Sequence, residues 1–344
     1  MGEINILHLS DIHFKRDKDD DNTAFRQDVQ QKMIAVIERH LKDHEPPDFV
    51  AVTGDIAFSG KKPEYDEALK FFDQLKPVLP DKVEFLVVPG NHDVDRDEIR
   101  RRFSLNRIVD ENEIDGFLNC PEDIRDFLNV KFKAYRKFVE DLSPGLYPET
   151  GDYFWVKPFA VREVVFLGLN SSWACEGDKD RFNIAVGFPQ VRAALDQSKS
   201  AVDSIALMHH PQANWLKDME TGKTRTELFK NCQLLLHGHD HTDQAEVFTD
   251  PANSIICLGA NASYTDDKDG CIGFQFIRVN FQEGRVACRV WPYIFDERRR
   301  SDFVPDRERW DQQKGEAHFD IHSFEPVSAG GRKIRKPLKI PEVY

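Results

Sequence analysis

Short apolar runs alternate with helix-periodic segments along this chain, and a row of His, Asp and Asn residues falls just after several of those runs. Together these observations predict an α/β fold with a functional site at the C-terminal ends of its strands. The runs rich in Val, Ile, Leu and Phe cover residues 4–9, 49–53, 84–88, 164–169, 204–208, 233–236 and 254–258, lengths that suit buried strands. Between the first two, Phe25, Val29, Met33, Val36, Ile37 and Leu41 recur at three- and four-residue spacing, which predicts a helix over 23–44 with one apolar stripe. A second helix is expected to start at Pro63, a residue favoured in a first turn, and to carry Tyr65, Leu69, Phe72 and Leu75 inward.

The alternation lapses over about 94–150, where charged helical sequence predicts an insertion; Ile124, Phe127, Leu128, Tyr135, Phe138, Val139 and Leu142 form a stripe there that reads as packing. After about Gly270, F-Q-F-I-R-V and V-A-C-R-V-W-P-Y-I-F predict late, antiparallel strands. The expected organisation is one domain over 1–294 containing the insertion, followed by an extension over 295–344 that ends in a basic, Gly/Pro-punctuated tail.

A 344-residue chain with 40% hydrophobic and 31% charged residues has enough apolar content for a large core, which argues against disorder. Its net charge of −13 repels polyanions at long range, so a phosphate-bearing substrate needs a local reversal of the field, which bound metal ions supply. The six cysteines show no C-x-x-C pair or disulfide framework and read as reduced thiols. The N-terminus enters a strand directly without a secretory pattern, and no apolar run is long enough for a membrane span, so a cytoplasmic protein without membrane attachment is expected.

The residues able to bind metal follow the strands closely. Asp11 and His13 follow L-H-L-S, Asp55 follows F-V-A-V-T-G, Asn91 follows F-L-V-V-P-G, His209 follows I-A-L-M, and His239 and His241 follow L-L-L-H-G. A mixed imidazole and carboxylate set suits Mn, Fe or Zn, whereas an all-oxygen set suits Mg or Ca. Glycines at 54, 90 and 238 allow the sharp turns that aim these side chains inward.

In this order, D-x-H, G-D, G-N-H-D, H-H-P and G-H-D-H resemble the calcineurin-like metallophosphoesterase superfamily over roughly residues 4–245. The resemblance implies a four-layer sandwich of two mixed sheets flanked by helices, with a dinuclear site along one edge. It implies that Asp11, His13 and His241 hold one divalent ion, that Asn91, His209 and His239 hold the other, and that Asp55 bridges them, with manganese the favoured metal. A hydroxide between the metals is then the expected nucleophile. His92, beside Asn91, looks like the general acid, because an imidazole can protonate an alkoxide leaving group near neutral pH. Asp93 is expected either to orient His92 or a ligand or to cap the following helix. His8 reads as a packed core residue, His237 has no clear ligand role, His40 and His44 are expected on a helix surface, and His210 either contacts phosphate or supports a ligand.

Phosphoprotein phosphatases of the superfamily carry G-D-x-V-D-R-G, and the arginine of that motif is missing from G-D-I-A-F-S-G here. The segment is similar to the phosphodiesterase branch that includes bacterial cyclic-nucleotide phosphodiesterases, with Mre11- and SbcD-like nucleases as the rival. A small or cyclic phosphodiester is the favoured substrate and single-stranded nucleic acid the alternative, because the net charge lacks a basic footprint. Local basic clusters at Arg96 and Arg100–Arg102 and at Arg298–Arg300 have acidic neighbours and read as solvated faces. A non-catalytic interaction scaffold requires lost ligands, and all seven are present.

Overall fold

In the computed structural model, the strands form where β-branched and aromatic residues concentrate, and the helices form where apolar residues recur every third or fourth position. Residues 3–321 are described, apart from 16–19, 99–110, 121–125, 127, 149–152, 160–162, 177–179, 183, 199–202, 216–219, 250–253, 267–269, 283–284, 297–300 and 309–314. The order is β1 (Glu3–Leu9), α1 (Asp20–Asp43), β2 (Phe49–Thr53), α2 (Lys62–Leu75), β3 (Glu84–Val88), α3 (Glu111–Leu118) and α4 (Lys133–Leu142). Then come β4 (Trp155–Phe159), β5 (Val164–Gly168), α5 (Phe188–Gln197), β6 (Asp203–Leu207), α6 (Arg225–Asn231), β7 (Leu234–His237), β8 (Ala245–Thr249) and β9 (Ser254–Gly259). The last described elements are β10 (Gly273–Gln282), β11 (Arg285–Asp296), β12 (Asp302–Pro305) and β13 (Ala317–Ile321).

Two mixed sheets result. The first runs β12-β11-β10-β1-β2-β3, with β13 also on β11; β1, β2 and β3 are parallel and the rest antiparallel. The second runs β4-β5-β6-β7-β9-β8, parallel in its centre with antiparallel edges. Because strand side chains alternate between faces, Phe166, Ile205, Leu207, Leu234 and Leu236 share one core with the first sheet. Their neighbours Val165, Leu167, Ala206 and Leu235 pack instead with Val191 and Leu195 of α5 and Leu228 of α6. On the first sheet, Phe72 of α2 meets Phe85 of β3, and His40 of α1 stacks on Phe276 of β10. The fold is therefore α/β, two mixed sheets between helices.

Both early helices begin close to where the sequence places them. Glu64, in the first turn of α2, accepts hydrogen bonds from the backbone N–H groups of Lys61 and Ser59, tying the helix start to the turn before it. Val29, Met33, Val36 and Ile37 are buried as the stripe requires, whereas Phe25 is 38% exposed and lies against the rings of Tyr264 and Phe295. His40 departs from its surface expectation: it is buried, stacked on Phe276 with ring centroids 3.7 Å apart, with Nδ1 3.0 Å from the Tyr293 hydroxyl. The cause is that α1 lies across β10 and β11, whose aromatic residues cover its last turns.

In the insertion, Leu128, Tyr135, Phe138, Val139 and Leu142 are buried, while Ile124 and Phe127 lie outside the described residues. Past residue 295, β12 and β13 extend the first sheet by pairing with β11. The basic run of the tail, Arg100–Arg102 and Arg298–Arg300 lie outside the described residues. Among the described residues no helix is long and apolar enough to cross a membrane.

Candidate metal centre

Five parallel strands, β1, β2, β3, β6 and β7, end in turns that bring the seven sequence-predicted ligands together. Asp11 and His13 come from the turn after β1, Asp55 from that after β2, Asn91 from that after β3, His209 from that after β6, and His239 and His241 from that after β7. Asp11, His13, Asp55, His239 and His241 all adopt left-handed backbone angles, with φ of 51–74°. Such a conformation costs of order 1–3 kcal/mol at a residue other than glycine and persists where surrounding structure enforces it. Gly54, at φ 91°, makes the turn into Asp55. A Cβ on Gly90 would lie 2.1 Å from Asp55 Oδ1, so only glycine lets the Asn91 turn approach the Asp55 turn.

Donor atoms of Asp11, His13 and His241 fall within 4.8 Å of one another, as do those of Asp11, Asp55 and His209. His241 Nε2 is 3.3 Å from Asp11 Oδ1 and 3.4 Å from His13 Nε2. His209 Nε2 is 3.3 Å from Asp55 Oδ2, 3.1 Å from Asn91 Oδ1 and 3.3 Å from His239 Nδ1. Asp11 and His209 form a floor without solvent exposure, and the open side is a cavity of about 330 Å³ bordered by His13, Asp55, Asn91, His92, His239 and His241.

Backbone groups orient this set. His209 Nδ1 donates to the Thr53 carbonyl at 2.7 Å, which fixes the tautomer and leaves Nε2 as the donor atom toward a metal. Ser10 Oγ donates to Asp11 Oδ2 at 2.6 Å and the His239 N–H donates to the same oxygen at 3.0 Å, whereas Asp11 Oδ1 is buried with no hydrogen-bond partner. A buried, undonated carboxylate oxygen among imidazoles is what a cation site requires. The residues therefore fit a pair of divalent ions.

Asp93 sits beneath the neighbouring turns and joins them. Its carboxylate accepts from the N–H groups of Ala57 at 2.9 Å and Gly90 at 2.9 Å and from the Tyr65 hydroxyl at 2.9 Å. Burial and the nearby Asp55 push its carboxyl up to about 6. Burial works against the charged form of Asp11 too, but His209 and His241 outweigh it and hold that carboxyl below its usual range. Burial opposes protonation of His209, and the Asp55 and Asp11 carboxylates override it, raising the imidazole to about 9. This charge pairing shows how strongly the two carboxylates attract positive charge to that spot.

His92 lies at the cavity wall with its N–H donating to Asp55 Oδ1 at 2.7 Å and its Nδ1 donating to the Phe58 carbonyl at 2.7 Å. His210 is fully buried, with Nδ1 2.9 Å from Ser171 Oγ and Nε2 3.2 Å from Asn91 Oδ1, so it supports Asn91 from behind. His8 is a hydrogen-bonded core residue between Thr53 and Gln275, and burial lowers it to about 3. His237 is buried beside the Gly238 carbonyl. Sequence reasoning missed Ser10 and Ser171, whose roles depend on contacts across the fold. It also passed over Lys15 and Phe58, which border the cavity and stand in plain view next to D-x-H and G-D.

The model of the calcineurin-like phosphoesterase family matches residues 4–243. A curated relative, an uncharacterized metallophosphoesterase-like protein of Bacillus subtilis, is 24% identical over 299 residues, which are 84% of this chain. The chain spans only 60% of that relative's length. Among solved structures, the zinc complex of Vps29 from Entamoeba histolytica is 10% identical, covering 92% of this chain and 99% of Vps29 with a TM-score of 0.36. The sulfate thiohydrolase SoxB from Thermus thermophilus is 10% identical, covering 82% of this chain and 54% of SoxB with a TM-score of 0.43. With the family match running from the first strand to the last ligand-bearing turn, this chain belongs to the calcineurin-like phosphoesterases.

Proposed function

We propose that this chain hydrolyses phosphodiesters with two divalent ions, manganese favoured, and His92 as the general acid. Asp11, His13 and His241 would hold one ion, Asn91, His209 and His239 the other, and Asp55 would serve both. The observation that carries the reading is the buried Asp11 Oδ1, without a hydrogen-bond partner and 3.3 Å from His241 Nε2, at the centre of a converging donor set. Bound there, the ions would supply a nucleophile from water at neutral pH and neutralise charge on the phosphoryl oxygens.

The protein's own contribution is proton transfer and placement. With Nδ1 committed to the Phe58 carbonyl, Nε2 of the protonated His92 ring is the group left to protonate the leaving oxygen. Among the described residues bordering the cavity Lys15 is the one lysine or arginine, and it is paired with Asp266. That arrangement suits the single charge of a diester better than the double charge of a monoester. The six free cysteines support a reducing, cytoplasmic setting.

A screen of bis-p-nitrophenyl phosphate, p-nitrophenyl phosphate, cyclic nucleotides and single-stranded oligonucleotides with manganese supplied tests this reading. Turnover of small or cyclic diesters above the monoester supports it. Preference for the monoester overturns it, and preference for the oligonucleotide replaces the small-diester reading with the nuclease one.

A further inference from the structure

Four large hydrophobic side chains are exposed among the described residues: Phe25, Phe58, Phe182 and Val247. Phe25 lies against two other rings, Phe182 lies beside the Arg181 guanidinium, and Val247 is on the edge strand β8. Phe58 alone of the four borders the metal cavity. It is 41% exposed even with the Lys15 ammonium 4.0 Å from its ring centroid. Lys15, His92 and His13 of the cavity wall lie around the ring, and they leave part of it open at the cavity.

The ring is also held in place. The Phe58 N–H donates to the Phe14 carbonyl at 3.1 Å, its carbonyl accepts from His92, and Glu64 clamps the next residue through the Ser59 N–H and hydroxyl. The Phe58 and His92 rings lie 5.2 Å apart, tilted by 39°. His92 is the group assigned to protonate the leaving oxygen, and Phe58 lies beside it, on that side of the site.

We propose that Phe58 is a stacking platform for the leaving group, and that the leaving oxygen belongs to an alcohol that carries an aromatic heterocycle, as a nucleoside does. The proposal rests on the phosphodiesterase reading for the meaning of "leaving group". A nucleobase presents a flat π-face that a fixed phenyl ring can cover, and such stacking does not depend on the sequence of bases. The cavity of about 330 Å³ falls in the range of small-ligand sites and suits one nucleoside unit.

Two measurements with manganese supplied test the platform. The first is calorimetric binding of thymidine monophosphate against deoxyribose phosphate, which differs from it by the base. The second is kcat/KM on the methyl diesters of the same two compounds, with the products identified. Methyl phosphate plus the nucleoside or deoxyribose is expected, and release of methanol would place the base on the retained arm and overturn the leaving-group assignment. The wild type is expected to favour the base-bearing ligand by about tenfold or more, the scale of one base on one aromatic side chain. Phe58→Leu should bring that ratio close to one, and Phe58→Trp should keep or raise it. A wild-type ratio near one, or a ratio that Phe58→Leu leaves intact, overturns the platform and leaves Phe58 as a support for His92. Base-dependent binding without turnover of either diester instead contradicts the hydrolase reading while upholding the platform.

Discussion

The backbone N–H of His92 donates to Asp55 Oδ1 at 2.7 Å, which couples the residue of the proposed acid to the proposed metal bridge through the main chain. The imidazole is held separately, by its Nδ1 on the Phe58 carbonyl, which leaves Nε2 for proton transfer. Replacing His92 by alanine should lower the rate on diesters with alkoxide leaving groups by about 10²–10⁴, the usual contribution of a general acid. The loss on p-nitrophenyl diesters, whose leaving group departs without a proton, should be much smaller. Equal losses on both, with metal content unchanged, would assign His92 to positioning. At this scale the convergence of the seven residues proposed as ligands was legible because their residue types fall in ordered motifs at strand ends. Ser10, Asp93 and Ser171 were not fully legible, because a serine or aspartate in sequence gives no sign of which distant backbone group it will hold. Asp93 shows the limit: both roles envisaged for it were local, yet it bonds to Ala57, Gly90 and Tyr65, residues of three different segments.

Among elements, the insertion is tied to the site through a buried lysine. Lys131, just before α4, donates from Nζ to the carbonyls of Trp173 at 2.5 Å and Cys175 at 2.5 Å, fixing the loop that begins at Ser171, the hydrogen-bond partner of His210. Burial lowers its ammonium from 10.5 to about 8, so the unfolded chain binds this proton more tightly than the folded one. Stability therefore rises with pH between about 8 and 10.5, and the cost of the buried charge is fully present below that window. Measured against Lys131→Met by denaturant unfolding, the wild type should gain on the order of 3 kcal/mol across it. A difference that stays flat with pH would show that Lys131 folds without a charge penalty. The same scale shows what the sequence conceals. The central strands were readable as continuous apolar runs because both of their faces are buried. Strand β4 was hidden by Pro158, tolerated because β4 is an edge strand, and β8 by its largely exposed pattern. The burial of His40 depends on aromatic residues of β10 and β11 more than 230 positions away.

For the whole molecule, a net charge of −13 surrounds a site that must receive an anion. Hydrolysis of bis-p-nitrophenyl phosphate should change little between low and moderate salt, because a small diester displaces few counterions, whereas a strand gripped by several cations would show a steep decline. A steep salt slope on oligonucleotides, removed by replacing Arg100–Arg102 with alanine, would favour the nuclease reading. The two-sheet α/β architecture was legible because strand–helix alternation and the ligand motifs point to the same answer, while the joining of β12 and β13 to the first sheet past residue 295 was not. The central claim is that a single centre holds two ions through a shared Asp55, and elemental analysis after manganese loading and desalting, on wild type and Asp55→Ala side by side with diester turnover, tests it most directly. The account predicts close to two manganese ions per wild-type chain, with both occupancy and turnover falling together in the variant. A variant that keeps its metal and hydrolyses diesters normally would contradict it.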